Sequence, residues 1–345
     1  MRIAFIILRQ FLILNVPFII LDAKADPAFR IPTPNQALWE GSEKGHRTFF
    51  APTRAGKWES GRFGCVRSGG WKFHEGIDIR YTKRNKQGEP TDPVFSTAEG
   101  IVCYANQKAS LSNYGKYIIL GHKIEDLEIY TIYAHLSQIE DQVVAGRQVE
   151  AGARIATMGR TTNSGTIARS RAHLHFEITL VINEKFDEWF QIRNPGSTND
   201  HGAWNGRNFL GLNPESIFRE QARLGENFSL RNFLRKQESF FTVFVTKTQF
   251  PWLRRYVPLM RINSTVSLQE ATGFEITFNA FGLPYQLSPS KHTTKTNQSI
   301  ELLDVQENIY QKYKCRKLLK KQGSQFQLSQ TGLDLIHLLT FQGKQ

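Results

Sequence analysis

The chain has 345 residues, enough for two domains and a sizeable buried core. Lys and Arg number 44 against 31 Asp and Glu, a formal charge of +13, which favours an anionic partner such as nucleic acid, acidic lipid or a cell-wall polymer. The three cysteines, Cys65, Cys103 and Cys315, lack the paired spacing of a structural zinc knot.

Residues 1–25 read as an export signal. Arg2 gives the basic start, Ile3 to Leu21 is strongly apolar, and Ala23-Lys24-Ala25 supplies a small-x-small cleavage pattern ahead of Asp26. An uncleaved anchor is the alternative, because the apolar run nearly reaches spanning length. Export makes nucleic acid the least favoured anionic partner, and no later segment is apolar enough to span. It also permits a disulfide, for which Cys65 and Cys103 are the pair nearest the candidate site.

Residues 26–69, rich in Pro, Gly and charge, form an irregular lead-in. From about 70 to 180, short apolar runs alternate with turn residues, predicting an all-β unit with strands at Gly76 to Arg80, Gly100 to Ala105, Tyr117 to His122, Ile129 to His135 and His173 to Val181. Residues 182–211 read as a long loop presenting Trp189 and Trp204 as exposed aromatics. Pro214 then opens a helix running to about Leu224, closing a unit at 70–225. Residues 226–345 form a second, α+β unit, with strands at Phe241 to Lys247 and Phe274 to Phe278 and helices at Val305 to Lys321 and Ser329 to Leu339. The basic run from Lys312 to Lys321 reads as a solvated helix face, or else a contact for an anionic polymer.

Three histidine clusters fall within the all-β unit: His74-Glu75-Gly76-Ile77-Asp78, Tyr133-Ala134-His135-Leu136 and His173-Leu174-His175. Positions i and i+2 of a strand share a face, so His173 and His175 enter one cleft while Leu174 and Phe176 pack behind. His74 and Asp78 share parity, and Gly76 between them leaves room for a close approach. The helical metalloprotease sequence His-Glu-x-x-His does not apply, because Asp78 stands at i+4 and Gly76 in the middle. Two imidazoles and one carboxylate make a three-ligand zinc site with an open fourth position. With His74, Asp78 and one histidine of the pair as ligands, His135 and the other histidine are left for proton transfer. His122 reads as structural. His46, His201, His292 and His337 have no supporting neighbours, although His201 in the long loop could reach the cleft.

Residues 71–224 resemble the lysostaphin/LytM-type zinc metallopeptidases. The resemblance rests on Phe73-His74-Glu75-Gly76-Ile77-Asp78-Ile79, Asp92-Pro93-Val94-Phe95, Ala98-Glu99-Gly100-Ile101-Val102, Asn113-Tyr114-Gly115-Lys116-Tyr117, Thr131 to Ser137, Val144 to Val149, Ala151 to Ala156, His173 to Glu177 and Leu212-Asn213-Pro214, in that order. It implies that the catalytic unit is a two-layer antiparallel β sandwich (the duplicated hybrid motif), which makes the protein mainly β; the C-terminal α+β unit from 226 onward lies outside the resemblance. It implies Zn²⁺ on His74, Asp78 and His175, with His135 and His173 as catalytic imidazoles. The implied activity is exported hydrolysis of peptide bonds in peptidoglycan cross-links or stem peptides, in the periplasm or the cell wall. The alternative is a catalytically silent wall-binding or amidase-activating module of the same type. A peptidase acting on another secreted protein is a third reading. Three segments depart from the family pattern: the loops at 81–92 and 160–171 are enlarged and basic, and the connection at 182–211 is long. They bear on substrate choice rather than on zinc chemistry.

Overall fold

A computed structural model describes residues 28–260, 266–294 and 298–343. The expected signal segment lies outside them. Among the described residues no helix is long and apolar enough to cross a membrane.

Among its described residues the lead-in holds one short α-helix, α1 (Glu43–Phe49), with 3-10 turns at Ala37–Glu40 and Trp58–Gly61, and it leads into β1 (Gly64–Arg67). Then follow β2 (Lys72–His74), β3 (Ile77–Arg80), β4 (Pro93–Phe95), β5 (Gly100–Asn106), β6 (Lys116–Ile124), β7 (Leu127–Leu136), β8 (Gln138–Ile139), β9 (Gln148–Val149), β10 (Arg154–Thr157), β11 (Thr161–Thr162), β12 (Gly165–Thr166) and β13 (His173–Val181). After α2 (Phe186–Arg193) come β14 (Phe209–Leu212) and α3 (Pro214–Leu224). The expected mainly β architecture is what the chain adopts. The large antiparallel sheet runs β14-β13-β7-β6-β5-β9, with β3 also on β13, and a smaller sheet runs β4-β10-β8.

The long strands alternate as their sequence requires. In β13, Leu174, Phe176, Ile178 and Leu180 enter the main core with Ile118 and Leu120 of β6 and Tyr133 of β7. Val94, Ile139 and Ile155 bring the smaller sheet into that core as a second layer. His173, His175, Glu177, Thr179 and Val181 lie on the opposite face by parity, yet they too are buried. β3 and β14 divide one edge of β13: β3 pairs with His173 to Phe176, and β14 with Ile178 to Val181. A Cβ at Gly76 would lie 2.2 Å from the Phe176 carbonyl oxygen, so a larger residue there would push β3 off β13. Asn213 caps α3 by accepting from the Ser216 N–H, and Phe218 of α3 stacks on Phe176.

The C-terminal residues add α4 (Leu230–Arg235), β15 (Phe241–Val245), α5 (Pro251–Arg255), β16 (Gly273–Phe278), β17 (Pro284–Ser290), β18 (Ile300–Val305), α6 (Glu307–Lys312), β19 (Leu319–Gln322), β20 (Gln325–Leu328) and α7 (Gln330–Leu339). Their main sheet is antiparallel, in the order β17-β16-β15-β18. It shares the core of the first half. The Tyr256 hydroxyl accepts from the Val181 N–H, and Asn183 donates to the Leu338 and Phe341 carbonyls.

Several expectations need correction. Cys65 is bonded to Cys315, not to Cys103, and Cys103 is free. Cys103 lies in β5 against Gly121, whereas β1 turns toward the C-terminal chain, where Phe281 packs on Phe63 and Phe73. The helix expected over Val305 to Lys321 is only α6: Lys317 takes a left-handed φ of 51°, and the chain turns into the β19–β20 hairpin. The segment 182–211 is less irregular than expected, since it contains α2 and the start of β14. Trp189 is buried rather than exposed, because it lies in α2 against Phe186.

Candidate metal centre

The β3–β13 register sets His175 opposite Asp78, while β2 ends on His74. His74 and Asp78 therefore lie on two short strands joined by a turn, not on one helix. His74, Asp78 and His175 are all buried, and each offers a ligand atom within 4.8 Å of the others. His74 Nε2 is 3.1 Å from His175 Nδ1 and 3.1 Å from Asp78 Oδ1, and His175 Nδ1 is 3.0 Å from Asp78 Oδ1.

Hydrogen bonds fix which nitrogens face inward. His74 Nδ1 lies 2.7 Å from the Arg62 carbonyl and must donate to it, which leaves the Nε2 lone pair pointing into the cluster. Burial, opposed by Asp78, lowers the His74 pKa to about 4, so the ring is neutral. His175 Nε2 donates to Glu177 Oε1 at 2.8 Å, turning Nδ1 toward Asp78. Burial opposes charge on His175, but the bonds to Asp78 and Glu177 outweigh it and raise its pKa to about 9. To serve as a metal ligand, His175 would have to give up the Nδ1 proton. Burial likewise opposes ionisation of Asp78, yet His173, His74 and Arg67 hold its pKa well below the carboxylate range. Two imidazole nitrogens and a carboxylate, each oriented by a further hydrogen bond, are a donor set that fits zinc.

His135 and His173 stand beside the cluster, ring centroids 5.0 Å apart. His173 Nδ1 donates to the Arg171 carbonyl, and its Nε2 is 3.4 Å from Asp78 Oδ1. His135 Nδ1 donates to the Thr161 carbonyl, and its own N–H bonds the Tyr114 carbonyl. Burial lowers the pKa of both rings, so each presents a basic Nε2. His135 takes φ 61°, a strained conformation outside glycine that is typical of functional sites. His122 is bonded to the Glu99 carbonyl and the Thr131 hydroxyl, away from the cluster. His201 bonds Tyr104 and the Leu111 carbonyl and does not join it.

Three neighbours were not singled out in the sequence. Arg67 touches two of the ligand atoms, Glu177 orients His175, and Tyr114 donates to Glu177 Oε1 at 2.6 Å. Glu177 has the same strand parity as His175, which was the available signal. Glu177→Gln should weaken zinc affinity about 10–100-fold, measured by chelator competition. An unchanged affinity would show that Glu177 does not orient the ligand. The two enlarged basic loops are joined through Glu89, which accepts from Arg160 at 2.6 Å and from Arg169 at 2.8 Å.

The model of peptidase family M23 matches residues 72–187. The lipoprotein NlpD of Yersinia enterocolitica is 38% identical over 91 residues, 26% of this chain and 80% of that protein. The chain belongs to peptidase family M23. The murein hydrolase activator NlpD of Salmonella dublin is 33% identical over 133 residues, 37% of this chain but only 29% of that longer protein. A zinc-containing peptidase from Vibrio cholerae is 29% identical, covering 31% of this chain and 26% of its own; its TM-score of 0.23 is too low to carry an argument.

Proposed function

We propose that this M23 chain is an exported zinc metalloendopeptidase that hydrolyses peptide bonds in peptidoglycan cross-links or stem peptides. The observation that carries this reading is the convergence of His74 Nε2, Asp78 and His175 Nδ1 beside two neutral imidazoles. His74, Asp78 and His175 would hold the metal, which when bound supplies an acidified water and a Lewis acid for the scissile carbonyl. His135 and His173 hold their Nδ1 protons on backbone carbonyls, so each Nε2 is free to take a proton from the attacking water. Once protonated, the same nitrogen donates to the oxyanion or to the leaving amine. The left-handed turn at His135 and the anchor of His173 on Arg171 keep both rings aimed at one place. The basic surface suits an anionic cell-envelope polymer around the substrate.

Two observations favour a second reading, a non-hydrolytic activator of another wall enzyme: the Salmonella relative is called a murein hydrolase activator, and Arg67 sits against two ligand atoms. Purified protein on labelled peptidoglycan separates the two. The peptidase releases new amine termini, and a chelator abolishes the release. No release and no bound zinc would overturn the peptidase reading in favour of the activator.

A further inference from the structure

Arg67 ends β1, and the β1–β2 hairpin folds it back over His74. Its Nη2 donates to Asp78 Oδ2 at 2.6 Å and lies 2.7 Å from His74 Nε2. Its Nε faces the Ser60 carbonyl at 3.4 Å. The strand is pinned, because Cys65, two residues earlier, is bonded to Cys315. The side chain is less so: 30% of it remains exposed, so its end can turn outward without moving β1.

His74 Nε2 has one lone pair. It can accept an N–H from Arg67 or bind a metal, and it cannot do both. The guanidinium's positive charge, held against the Asp78 carboxylate, also repels a second cation there. From this exclusion, and resting on the assignment of His74, Asp78 and His175 as metal ligands, we propose that Arg67 is a built-in competitor for the metal site. The guanidinium leaves Asp78 and His74 when a divalent cation enters, and the cation's affinity is lower than the three ligands alone would give. Arg67 thereby sets how much free zinc the protein needs before it loads. It acts on metal occupancy and takes no part in bond cleavage.

The test is the zinc affinity of the full chain, measured by competition with a chromophoric chelator. Arg67→Ala should bind zinc at least ten times more tightly than wild type, and Arg67→Lys, which keeps the charge but loses the planar fork, should fall between them. Guanidinium ion at about 10 mM should weaken zinc binding by Arg67→Ala relative to the same concentration of sodium chloride, and leave wild type unchanged. Affinity in Arg67→Ala that equals or falls below wild type overturns the proposal, while zinc bound by wild type leaves the metal-site reading standing. If neither protein binds zinc, both fall. Should Arg67→Ala fail to fold, Arg67→Lys decides: binding no tighter than wild type overturns the proposal.

Discussion

His173→Ala should keep its zinc and lose turnover of labelled peptidoglycan by about 10²–10⁴-fold, the usual contribution of a positioned acid–base group. His175→Ala should lose the zinc itself. The two imidazoles stand two residues apart on one strand face, but their hydrogen bonds separate them. His175 turns Nδ1 into the cluster because Glu177 holds its Nε2. His173 is held the other way round, Nδ1 on the Arg171 carbonyl and Nε2 toward Asp78 at 3.4 Å. Zinc content by mass spectrometry and amine release on the same preparations read the two effects independently. Equal zinc retention in both variants would show that the division between ligand and acid–base group is wrong.

The largest expected effect on stability comes from the Cys65–Cys315 bond. It closes a loop across a sequence separation of 250 residues and ties β1 to the chain between α6 and β19. The double variant Cys65→Ser with Cys315→Ser should lose about 2–5 kcal/mol of unfolding free energy, chiefly because the unfolded chain regains the conformations that the cross-link forbids. Denaturant unfolding of wild type with and without reductant, beside the double variant, checks this. Wild type under reductant should match the double variant. Coincident curves under all three conditions would mean that the Phe63, Phe73 and Phe281 contacts hold the two halves together without the bond.

The strand face shared by His173 and His175 was legible because side-chain alternation is a local rule. The short strand around Asp78 was legible too, since Gly76 marks a close approach and a Cβ there would meet the Phe176 carbonyl. Arg67 was not legible. Its place over His74 depends on a hairpin with a bulge between Cys65 and Arg67, and nothing in the spacing announces the bulge. The cysteine pairing is not legible for a related reason: nearness to the candidate site favours Cys103, while the fold brings Cys315 back to Cys65 across a separation of 250 residues. The basic run after Val305 looks helical by composition, but Lys317 in a left-handed conformation and the hairpin that follows divide it. Even there the solvated-face reading holds only in part, since Lys321 pairs with Glu307 while Arg316 covers the ring of Phe73. The long segment at 182–211 hid α2 because Trp189 and Phe190 supply an apolar face only once the helix is formed.

The most direct measurement is anomalous diffraction at the zinc edge from crystals of the full chain grown with saturating zinc. The expected result is one peak at ligand distance, about 2.0–2.2 Å, from His74 Nε2, the Asp78 carboxylate and His175 Nδ1, with the Arg67 guanidinium turned away from all three. No peak there, with Arg67 still on Asp78 and His74, would contradict the metal site and the hydrolytic function together.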